Sequence, residues 1–66
     1  MKTHIGKEVI NIWRRNDDGT YQTGMLTEVL EGHNTLLGVI WEGRDYVSWM
    51  PLQDIALKET YPNSRF

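Results

Sequence analysis

The apolar residues of this 66-residue chain recur mostly at strand spacing, in short runs that turn-forming residues interrupt. The pattern predicts strands over 7–14, 21–31, 35–42 and 45–50, with a short fifth over 55–58. The breaks are "NDDGT", "GHN" and "GR", whose Gly, Asn and Asp tolerate turn dihedrals. Pro51 has no N–H to give to a ladder, so it ends the fourth strand, and "PLQD" fits one 3₁₀ turn before the fifth. Met25, Leu26, Val29 and Leu30 are also spaced for one face of a helix. The flanking turn signals and β-branched neighbours favour a strand there.

Five short strands with a 3₁₀ turn before the last describe an all-β domain, a small five-stranded antiparallel barrel of the SH3-like type. It is expected over residues 1–58, with a polar C-terminal tail over 59–66 in which Tyr61 and Phe66 are candidate anchors. A barrel suits this length because closure removes the exposed edges that a flat sheet leaves open to aggregation. The expected core is Val9, Leu26, Val29, Leu37, Val39, Ile40, Val47, Leu52 and Ile55.

Composition narrows what holds such a fold together. Below roughly 70–80 residues a single core seldom supplies more than about 3–5 kcal/mol, so each large apolar side chain matters. There is no cysteine, and His4 and His33 are far apart, so neither a disulfide nor a local metal site is expected, and no cofactor is implied. No apolar run approaches the roughly 20 residues of a membrane span, and no signal-peptide pattern is present, which predicts an intracellular location without membrane contact. The net charge is −2, and Arg14-Arg15 is followed at once by Asp17-Asp18. This balance disfavours DNA or RNA as a partner, since nucleic-acid binding leans on a surplus of basic groups.

Three large aromatics crowd into "GVIWEGRDYVSW", residues 38–49. A two-residue Gly43-Arg44 loop, with Gly43 supplying the positive φ of a type II′ turn, places Trp41 opposite Tyr46, Ile40 opposite Val47 and Gly38 opposite Trp49. Trp49 then shares a face with Ile40 and Val47 and reads as core, covering the bare backbone of Gly38. Trp41 and Tyr46 fall at the tip, either as core or as two walls of an open site. Glu42 and Asp45 are opposed on the other face of the tip, a like-charge pair that costs a few tenths of a kcal/mol. Either both point to water, or they flank a bound cation.

The segments "EVINIWRRNDDGTYQTGMLTEVLE" and "LLGVIWEGRDYVSWMPLQDIAL" together resemble the Tudor domain, most nearly the histone-reading Tudor domains of Polycomb-like proteins and of DNA-damage checkpoint adaptors. The matching elements are Trp13, "NDDG", Tyr21 and Gly24, Trp41 with Glu42, Tyr46, and Asp54-Ile55, so the likeness runs from about Gly6 to Lys58. Aligned on Gly24, the family's tyrosine falls at Gln22, so Tyr21 takes its place only through a bulge. Asn11 stands where the family has a small apolar residue. The resemblance implies a Tudor-like barrel in which Trp13, Tyr21, Trp41 and Tyr46 cage a methylated lysine, with Glu42 or Asp45 at the rim. A methylammonium suits such a box because it loses little hydration and gains cation–π attraction, and a rim carboxylate adds charge attraction. The implied partner is a methylated histone peptide and the implied location nuclear.

Other functions compete with this one. No nucleophile–histidine pairing is recognisable and Asp17-Asp18 lies in a predicted turn, so the chain reads as a binding protein and not an enzyme. The rival is a small phage or bacterial SH3-like protein, cytoplasmic, that binds another protein or itself. A third reading is a KOW-like RNA-binding surface with Trp13 and Trp41 as stacking platforms.

Overall fold

In the computed structural model, which describes residues 2–66, five strands form one antiparallel sheet. They are β1 (Glu8–Arg15), β2 (Tyr21–Leu30), β3 (Leu36–Trp41), β4 (Ser48–Pro51) and β5 (Ile55–Leu57), in the order β4-β3-β2-β1-β5. A 3₁₀ turn over Leu52–Asp54 joins β4 to β5, as the Pro51 argument predicts, and another over Lys2–His4 precedes β1. Among the described residues no helix is long and apolar enough to cross a membrane.

The sheet is strongly two-faced. Its inner face gathers Val9, Leu26, Val29, Leu37, Val39, Trp41, Ile55 and Leu57 into one buried cluster, against which Met50, Leu52 and Phe66 pack. Leu26 pairs with Val39, yet Glu28 pairs with the adjacent Gly38, so β2 carries one extra residue at Thr27. That bulge turns both Leu26 and Val29 inward although they are three residues apart, which is why this strand has the spacing of a helix face. The Thr27 hydroxyl donates to the Gly38 carbonyl at 3.0 Å and so satisfies a backbone acceptor at the irregularity.

The core differs from expectation along β3. Leu37, Val39 and Trp41 point inward, which leaves Ile40 on the outer face and only half-buried, like Val47 and Leu52. Ile10, Trp41, Ala56 and Leu57 are buried in addition.

Barrel closure is corrected as well, since no ladder joins β4 to β5 and the sheet is open between them. The physical reason is that another part of the chain occupies the gap. Residues 59–66 fold back, and the Leu57 N–H donates to the Arg65 carbonyl at 2.7 Å along the edge of β5. The Arg65 guanidinium donates to the carbonyls of Leu52 and Ile55, each at 3.1 Å, and also to that of Gln53. Phe66 lies against the core beside the opening. The C-terminal segment thus covers an edge that closure would have removed.

Candidate binding surface

The first hairpin positions Trp13 and Tyr21. The β1–β2 register runs from Asn11 opposite Gln22 directly to Arg15 opposite Tyr21, so residues 12–14 bulge out of β1. Asn11 is the cause. Its side chain is buried, and its Oδ1 accepts the Trp13 N–H at 3.0 Å, taking the place of a ladder partner. Trp13 is thrown outward and is 73% exposed.

The turn beyond is closed by Asn16 N–H to the Thr20 carbonyl at 2.7 Å, with Gly19 at φ +88°. Asp18 Oδ1 accepts from the Thr20 hydroxyl at 2.6 Å and from its N–H at 3.0 Å. These bonds, the hydroxyl's first, hold the Asp18 carboxyl below its ordinary pKa of 3.8. Past the turn, strand alternation sets Tyr21 on the outer face with Thr23 and Met25, edge-on to Tyr61 at 5.6 Å.

The second hairpin differs from the tight loop expected. Arg44 N–H donates to the Trp41 carbonyl at 3.0 Å and Gly43 has φ +84°, so the turn is centred on Glu42-Gly43. The β3–β4 ladder stops at Val39 opposite Ser48, and Trp41 does not pair with Tyr46. Trp41 is only 4% exposed. Its ring lies over Gly24, where an added Cβ would stand 2.8 Å from Trp41 Cε3 and 2.7 Å from the Ile40 carbonyl oxygen. Tyr46 is exposed, and the Arg44 guanidinium sits 5.7 Å from its ring centroid and bonds its hydroxyl. Glu42 turns to β2: its N–H donates to the Thr23 carbonyl at 3.0 Å and its carboxylate accepts the Thr23 hydroxyl at 2.9 Å. Asp45 is exposed in the loop and is not opposed to Glu42 in any ladder.

The four aromatics of the expected cage are therefore dispersed. Trp41 is inside the sheet, Tyr21 is on its outer face, Trp13 stands on the β1 bulge, and Tyr46 already faces an internal cation. Of the expected cage and rim residues, Tyr21 and Glu42 line one cleft. Trp49, expected as core, is on the outer face and 44% exposed, although its predicted pairing with Gly38 is the one observed.

What sequence reasoning missed is the outer face of β2–β3–β4. Across it run Met25 beside Ile40, Trp49 beside Gly38, and Leu30 beside Leu36 beside Pro51. The Trp49 ring and Val47 Cγ1 close over Gly38, where a Cβ would lie 3.3 Å from Trp49 Cη2 and 3.0 Å from Val47 Cγ1. Met25, Leu30 and Trp49 remain exposed. Among the described residues the one charged side chain inside this apolar area is Glu28, and Glu42 borders it beyond Thr23. Among the described residues the ion pairs are Lys7–Glu59 and Lys58–Glu8, so Glu28 and Glu42 have no basic partner. The signal was present in β3 as "LLGVIW", apolar at both parities, which announces a strand covered on two faces.

Among the described residues no three His, Cys, Asp or Glu side chains converge to hold a metal ion. No protein-family model, curated protein or solved structure matches the chain.

Proposed function

We propose that the chain is a binding module without catalytic chemistry of its own, which docks a protein segment of alternating apolar and basic residues on the outer face of β2–β3–β4. The observation that carries this reading is the apolar area of exposed Met25, Leu30 and Trp49 around half-buried Ile40, with two unpaired carboxylates, Glu28 and Glu42, inside and beside it. Contiguous exposed apolar surface on so small a domain marks an interaction site. An extended partner presents side chains of alternate parity, so one face offers apolar groups to the sheet while basic side chains reach the acids. A second copy of the chain fits less well, because stacking two such faces brings Glu28 and Glu42 toward their own counterparts. A methyl-lysine cage of Trp13, Tyr21, Trp41 and Tyr46 requires Trp41 to leave the core. The sheet-face reading keeps the basic character of the partner without that cost.

Tryptophan fluorescence titration with two synthetic peptides, one alternating Lys and Val and one alternating Glu and Val, tests the reading. The Lys-Val peptide is expected to bind and to weaken as salt rises, since the acids are solvent-exposed. Equal binding of both peptides, or concentration-dependent dimerisation of the protein alone, contradicts it.

A further inference from the structure

A different part of the outer face carries a second site. Where β1, the start of β2 and the returning C-terminal segment meet, there is a cleft of about 640 Å³ whose walls include Ile10, Arg15, Tyr21, Glu42, Lys58 and Tyr61. Ile10 is buried yet lies outside the main core cluster, because Tyr61 and Pro62 line the cleft with it on the outer side of the sheet. The cleft thus has an apolar base flanked by an edge-to-face pair of phenols.

Its charged groups are unevenly placed and unevenly occupied. Arg15 is held at 4.3 Å from the Tyr21 ring centroid, donates to the Tyr21 hydroxyl at 2.9 Å and donates to the Gly19 carbonyl at 3.1 Å. Those contacts fix the guanidinium but supply no negative charge, and among the described residues no carboxylate pairs with it. Because Tyr21 accepts from Arg15, its own O–H proton is left to donate into the cleft. Lys58 adds a second cation, with Glu8 at 3.4 Å in an exposed pair that solvent screens. Glu42 also lines the cleft, anchored by Thr23.

We infer that this cleft binds a small molecule with an aromatic or otherwise apolar body and an oxyanion head, either phosphate or carboxylate. The head lies against Arg15 and the Tyr21 hydroxyl, with Lys58 in the same lining, and the body rests on Ile10 beside the edge-to-face pair of Tyr21 and Tyr61. A planar guanidinium offers paired N–H groups to either oxyanion, and one already immobilised loses little freedom on binding. Glu42 in the same lining repels a second anionic group, so the site selects for a single head.

The test is an NMR titration of the intact protein with phenyl phosphate, benzoate, inorganic phosphate and phenol, following the ring signals of Tyr21 and Tyr61. Saturable shifts at both tyrosines with phenyl phosphate or benzoate are expected, and which is tighter identifies the head. Inorganic phosphate and phenol should each bind at least about tenfold more weakly, since each lacks one of the two recognised parts. Arg15→Gln is expected to weaken phenyl phosphate roughly tenfold, the equivalent of one charge-assisted hydrogen bond. Because Arg15 also braces the turn through Gly19, Lys58→Gln gives an independent test, with a loss of several-fold on a folded protein. Unchanged binding in Lys58→Gln together with a folded Arg15→Gln, or saturable shifts located away from the two tyrosines, overturns the assignment. Failure of the peptide experiment leaves this result untouched, because Trp49 lies outside the cleft.

Discussion

Replacing each of two tryptophans by alanine should have very different consequences, because the sheet sends them to opposite faces. Trp41 is 4% exposed and fills the space above the bare backbone of Gly24, whereas Trp49 is 44% exposed and covers Gly38 from the solvent side. Fully burying an aromatic of this size removes on the order of 200 Å² from water, worth about 5 kcal/mol at 25 cal/mol per Å², and Trp→Ala in cores costs about 3–5 kcal/mol. Trp49 retains only about half of that burial, so its replacement should cost about 1.5–2.5 kcal/mol. A domain of this size has only about 3–5 kcal/mol in total. Trp41→Ala is therefore expected to be largely unfolded at 25 °C, and Trp49→Ala folded with a urea midpoint lower by about 2 M, taking a slope near 1 kcal/mol/M. Far-UV circular dichroism reads this without relying on the indoles that are removed. A cooperative transition for Trp41→Ala at the wild-type midpoint, or loss of fold in Trp49→Ala alone, would refute the assignment of faces.

Gly24→Ala should destabilise by about 1–3 kcal/mol, since its methyl group meets the Ile40 carbonyl and the Trp41 ring at under 3 Å, and a urea melt measures the loss. Asn11→Ala removes the acceptor of the Trp13 N–H, and about 1–3 kcal/mol of stability should go with it; faster hydrogen exchange at the Trp13 amide is the readout. Arg65→Ala frees three carbonyls at the opening between β4 and β5, and hydrogen exchange should quicken at Ile55 and Leu57 before it does in β2. Because Asp18 has a depressed folded pKa, its contribution to the turn is complete above the ordinary value of 3.8 and is lost as pH falls through the lower folded value. The Thr20 amide shift should therefore titrate with a midpoint below 3.8, and Thr20→Val should bring the Asp18 midpoint back up; a wild-type midpoint at or above 3.8 contradicts the hydrogen-bond account.

The strands were legible because period-two spacing and Gly, Asn and Asp breaks are local properties, and four of the five begin within one residue of where the pattern puts them. Which face of β3 goes inward was not local. "LLGVIW" is apolar at both parities, and two Gly–Trp contacts, Gly24 with Trp41 and Gly38 with Trp49, compete to define the core side. The choice is made by β2, where the Thr27 bulge aligns Leu26 and Val29 with the Leu37, Val39 and Trp41 side. The candidate cage rested on a resemblance that already needed a bulge to bring Tyr21 into place; the irregularity lies in β1 after the buried Asn11, whose side chain bonds the Trp13 backbone. The apolar outer face left its trace in "LLGVIW", whereas the cleft beside Tyr61 was not legible, because it depends on where residues 59–66 return.

The central claim is that the outer face of β2–β3–β4, and not an aromatic cage, meets the partner. An NMR titration with the alternating Lys-Val peptide, repeated with its lysines trimethylated, puts the two readings in direct opposition through the three indole N–H signals. The sheet-face account predicts that the Trp49 indole and the Met25, Gly38 and Ile40 amides move with both peptides, while the Trp13 and Trp41 indoles stay still. Shifts confined to Trp13 and Trp41, appearing only with the trimethylated peptide, would contradict it.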